Sequence, residues 1–105
     1  MAVVMRYFVL AADHLESSLR DEQTGPVTID ELALTTTLVG ELSYWNERYQ
    51  TIIPREVAER SSPSASALID SLDSEGLKLA DRIDAELEGE AKVRYYSEGL
   101  LKYRW

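Results

Sequence analysis

Cysteine is missing from the 105 residues, and histidine appears once. The first absence rules out a disulfide and a thiolate metal site, and it fits a reducing, cytoplasmic setting. The single histidine, His14 in Asp13-His14-Leu15-Glu16, has no second histidine or cysteine at a metal-ligand spacing. A carboxylate beside it is one ingredient of a general base, but no serine is marked as a nucleophile, so His14 reads as a loop residue. Glycines stand singly at positions 25, 40, 76, 89 and 99, which excludes a glycine-rich phosphate loop. No acidic run has the spacing of a calcium loop. Carboxylates are too abundant for any one pair to mark glycosidase chemistry. The chain is therefore expected to carry no metal or cofactor and not to be an enzyme.

Long hydrophobic runs are missing too. The apolar start, Val3–Ala12, is interrupted by Arg6 and has no basic stretch ahead of it, unlike a secretory leader. It is also well short of the roughly 20 residues that span a bilayer. Basic residues are scarce, 11 against 19 acidic, for a net charge of −8. Such a body repels anionic lipid and phosphate backbones, so neither a membrane nor a nucleic acid is an expected partner. Hydrophobic residues make up 45%, an ordinary share for one globular domain over residues 1–105.

The charge is split by position. Residues 1–91 carry 18 acids and 7 bases, whereas 92–105, KVRYYSEGLLKYRW, carry one acid and four bases. Alternating Val93, Tyr95, Leu101, Tyr103 and Trp105 around Ser97-Glu98-Gly99 predict a closing hairpin. Its long basic side chains are expected to cover a sheet edge, and Lys92, Arg94 and Lys102 to pair with acids of the neighbouring helix. Val3–Ala11, apolar on both faces, predicts a central strand, and Ser17–Asp21 a short second one before the turn signal Gln23-Thr24-Gly25-Pro26. Val27–Leu34 reads as an extended connection.

Two helices lie between. In the first, Thr35-Thr36-Thr37 supplies caps, Leu38, Leu42, Trp45, Tyr49 and Ile52 recur at helical spacing, and Pro54 ends the run. The second has Ser62 as cap, Pro63 at the first position, a stripe from Ala65 to Leu87, and Gly89 just past its end. Gly76 falls on that stripe, where it either admits a close neighbour or divides the segment in two. The order ββααββ predicts an α+β fold with two helices on one face of a small antiparallel sheet.

At 100° per residue, Asp73, Asp84, Asp70 and Asp81 fall within about 80° to 160° of Ala65, with Leu77 among them. An apolar anchor ringed by acids has the form of an interface for a basic protein, steered by the rim and held by the anchor. Against this stands the commoner outcome for charged helix faces: Leu77 widens the core stripe and the aspartates are merely solvated.

The run LVGELSYWNERYQTIIP with SEGLKLADRIDAELEGEAKVRYYSEG resembles a pattern in small uncharacterised acidic α+β proteins of actinobacterial type. That resemblance implies the fold and carries no functional residues. Charge placement then points to a small cytoplasmic module that blocks or regulates a basic protein, a toxin immunity protein being the concrete form. The site residues are Asp70, Asp73, Leu77, Asp81 and Asp84. Two alternatives stand beside it: a homo-oligomeric structural module, such as a homo-dimer, joined across a two-fold axis through Tyr96, Tyr103 and Trp105, and a phage-encoded inhibitor of a host defence protein.

Overall fold

The computed structural model describes residues 6–13, 18–27, 32–54, 58–88 and 91–104. Strands β1 (Arg6–Leu10), β2 (Leu19–Asp21) and β3 (Gly25–Pro26) come first, then helices α1 (Thr36–Tyr49) and α2 (Pro63–Glu86), then β4 (Ala91–Ser97) and β5 (Lys102–Arg104). The fold is α+β, and its five strands form one sheet in the order β3-β2-β1-β4-β5.

The sheet is not wholly antiparallel. β1 pairs in parallel with β4, in register from Arg6 opposite Ala91 to Leu10 opposite Tyr95. The other three pairings are antiparallel. Parallel neighbours need a long crossover, and here the two helices supply it. The expectation of an antiparallel ββααββ sheet took every strand for a hairpin partner. Sequence periodicity reveals a strand but not the direction in which it enters the sheet. β3, a two-residue strand inside the expected turn, is a second departure.

One face of the sheet is covered. Phe8, Leu10, Leu19, Ala91 and Tyr95 point into the core, where they meet Leu38, Leu42, Trp45, Ile69, Leu72 and Ile83 of the helices. The opposite face carries Tyr7, 49% exposed, half-buried Val9 and Tyr96, and the exposed cations Arg20, Lys92 and Arg94. β1 is central in the sheet, but only one of its faces lies under helices.

The caps follow the expected chemistry. Thr35 accepts from the Leu38 amide and Ser62 from the Ala65 amide, with Pro63 opening α2. Thr35 is itself held by Glu86, whose carboxylate accepts from its amide at 2.7 Å and its hydroxyl at 2.9 Å. The start of α1 is thereby tied to the end of α2. Glu75 pairs with Arg48 and Glu41 with Arg82, so both ion pairs cross between helices instead of running along one. Past α2 the left-handed position falls to Glu88, at φ 49°. Gly89, expected there, and His14 and Trp105 lie outside the described residues.

Gly76 does not break α2, which runs unbroken through it. A Cβ at this position would clash with the Cε2–Cζ edge and the hydroxyl of Tyr95. The glycine lets β4 press its tyrosine against the helix axis, with the Tyr95 ring 6.0 Å from that of Trp45. The Trp45 indole in turn donates to the Leu72 carbonyl at 2.9 Å.

Candidate protein interface

α2 presents the expected acidic stripe, but one of its four aspartates faces inward. Asp73 is fully buried. Its Oδ1 accepts from the Tyr95 hydroxyl at 2.6 Å and the Tyr49 hydroxyl at 2.9 Å; its Oδ2 accepts from Ser97 Oγ at 2.7 Å and Arg104 at 3.3 Å. Four donors from α1, β4 and β5 thus converge on one carboxylate. A partner cannot reach it, so Asp73 leaves the contact set and becomes the group that fixes the face from beneath. On the helical wheel it lies at the border of the apolar stripe, where angle alone does not separate a rim acid from a core acid.

Two of the four donors accept a bond in turn. Tyr49 Oη accepts from the Gly99 amide at 2.8 Å, and Ser97 Oγ accepts from the Leu100 amide at 3.0 Å. Burial, with a contribution from the Asp73 charge, pushes the Tyr49 phenol up to about 12, and burial pushes that of Tyr95 higher still. A phenol whose folded value lies above its unfolded value near 10 adds stability that is complete below pH 10. That stability is lost as the pH rises from about 10 to about 12. Stability should therefore fall in that window, and Tyr49→Phe should make the fall less steep without abolishing it, because the raised Tyr95 phenol still contributes. An equally steep loss of stability with pH in the variant would reject this assignment.

The remaining site residues stay at or near the surface. Asp70 is 72% exposed and sits 3.9 Å from Arg104, which it shares with Asp73. Asp81 is exposed and Asp84 half-buried. Leu77 is half-buried and packs on the edge of the core, so it is less prominent than an exposed anchor. It lies with Asp81, Val93 and Arg104 along a groove of about 310 Å³ between α2 and the β4–β5 edge. The groove therefore joins Leu77 and Asp81, while Asp70 adjoins it through Arg104.

The hairpin cations are placed differently from the expectation. Arg104, not Lys92, Arg94 or Lys102, reaches the acids of α2, and Arg94 pairs with Glu22 beyond β2. The β4–β5 turn spans 98–101, later than Ser97-Glu98-Gly99, because Ser97 is still paired with Lys102. Gly99 is needed there for proximity: a Cβ would come 2.7 Å from Ile69 and 2.8 Å from the Tyr49 hydroxyl. The left-handed residue of the turn is Leu101, at φ 56°. Leu101, expected in the closing strand, lies in the turn, where it and Leu100 put two leucines at a hairpin tip, an anomaly legible in the sequence.

Among the described residues no helix is long and apolar enough to cross a membrane, and no cluster of three or more acidic, histidine or cysteine side chains is placed to hold a metal ion. No curated protein sequence matches the chain. The sequence model of the Serratia CdiI immunity protein-like family matches residues 9–98.

Proposed function

Because the chain belongs to the Serratia CdiI immunity protein-like family, we propose that it is an immunity protein that binds a protein toxin and blocks it. The family match over residues 9–98 is the observation that carries this reading. The action is stoichiometric and non-enzymatic, and the complex forms in the cytoplasm. The contact face is the outer side of α2, with Leu77 in its groove and Asp70, Asp81 and Asp84 around it. The toxin surface that meets it is basic. Net charge −8 supports this, since complementary charge accelerates encounter and the half-buried leucine supplies desolvated contact.

Co-production with a toxin domain from the same genome tests the role. A one-to-one complex and restored growth are expected, and toxin activity unchanged by excess immunity protein rejects it. The face is tested by reversing Asp70, Asp81 and Asp84 to lysine, leaving Asp73 in place to keep the fold. At low salt the association rate should fall by about tenfold or more, and the gap should narrow as salt is raised. A rate equal to wild type at low salt would exclude this face from the contact.

A further inference from the structure

The β4–β5 turn combines three features that rarely coincide. It exposes two consecutive leucines, Leu100 at 41% and Leu101 at 49%. It holds Leu101 at φ 56°, a conformation that glycine or asparagine adopts readily and a branched apolar residue does not. It is also fixed on every side. Tyr49 accepts from the Gly99 amide, Ser97 from the Leu100 amide, and Arg60 donates to the Glu98 carbonyl at 2.6 Å. A strained backbone persists only where its surroundings over-determine it, and such places cluster at functional sites. Neither leucine is part of the buried core cluster.

The turn sits on the first half of α2, because Ile69 packs against Gly99. The residues flanking Ile69 are Leu68, 38% exposed, and Asp70, 72% exposed. Asp70 is also tied to the hairpin by Arg104 of β5, 3.9 Å away, so the leucine tip and the N-terminal end of the acidic stripe border the same seam between α2 and the hairpin. We propose that Leu100 and Leu101 add an apolar anchor to the toxin interface beyond Leu77, entering an apolar cleft on the toxin whose rim carries the basic residues that meet Asp70. This rests on the immunity reading and specifies which part of the face enters the toxin. A tip already held in its bound shape loses little conformational freedom on docking, which favours affinity. The strain at Leu101 is retained because glycine, the easier residue for the backbone, has no side chain to insert.

Leu101→Gly separates this role from a structural one, since it should move stability and binding in opposite directions. The melting temperature is expected to rise by a few degrees as the left-handed strain is relieved. Affinity for the toxin domain used above should fall at least about thirtyfold. Leu100→Ala should weaken binding similarly with the melting temperature unchanged. If both variants bind as wild type does while wild type still protects cells, the turn is not the anchor and the immunity role stands. A lower melting temperature for Leu101→Gly would overturn the strain argument. If wild type itself binds no toxin, the immunity reading fails and this inference fails with it.

Discussion

Asp73→Ala is expected to destabilise the fold by about 3 kcal/mol or more, because three buried hydroxyls lose the acceptor they share. That is a large part of the roughly 5–15 kcal/mol that holds a domain together. Arg104 is not the main sufferer, being 33% exposed and near Asp70 as well. The cost falls on the Tyr49, Tyr95 and Ser97 hydroxyls, which lose their acceptor at a buried position. Each buried hydroxyl left without a partner costs about 1–3 kcal/mol. Asp73→Asn should recover little, because its amide nitrogen would confront donors. Urea titration measures the effect as a lower midpoint with an unchanged slope. A loss below about 1 kcal/mol would show that the four donors have adequate alternatives.

Two helical glycines should respond with opposite signs. Gly40 is exposed on α1, and a Cβ added there would meet nothing within 4 Å. Gly40→Ala should therefore gain close to 1 kcal/mol of helix propensity. Gly76→Ala gains the same propensity but drives its methyl into the Tyr95 ring. That ring is held at its far end by Asp73 and flanked by Trp45, so it has nowhere to retreat. Overpacking costs about 1–3 kcal/mol and outweighs the propensity gain, and Gly76→Leu should cost about 3 kcal/mol or more. Thermal melts of the three variants decide the matter. A Gly76→Ala protein as stable as Gly40→Ala would mean that β4 can move away from α2.

The parts of the fold legible in the sequence were those governed by local rules. Thr35 and Ser62 cap their helices, Leu38, Leu42, Trp45 and Tyr49 form a buried stripe, and β4 and β5 pair as a hairpin, because each depends on neighbours a few residues away. The parallel β1–β4 pairing was not legible, since strand direction is set by how the helices cross the sheet. The site divided along the same line. Helical periodicity placed Asp70, Leu77, Asp81 and Asp84 on one side of α2. The fate of Asp73 depended on Tyr95, Ser97 and Arg104 arriving from residues 22 to 31 positions later. A border position on a wheel becomes core or rim according to what packs against it, and periodicity does not contain that partner.

The central pairing of β1 with β4 also has a consequence in time. Arg6–Leu10 must wait for Ala91–Ser97 before the middle of the sheet can close. Contacts so distant in sequence make for slow folding, because the loop must be closed before any pairing rewards it. On the ribosome, α1 and α2 emerge before β4 and β5, so the helices wait with only part of their sheet made and with Asp73 lacking three of its four donors. Under the proposed immunity role, protection would then begin only after the last strands are made, so a cell would depend on finished chains already in stock and not on those still being translated.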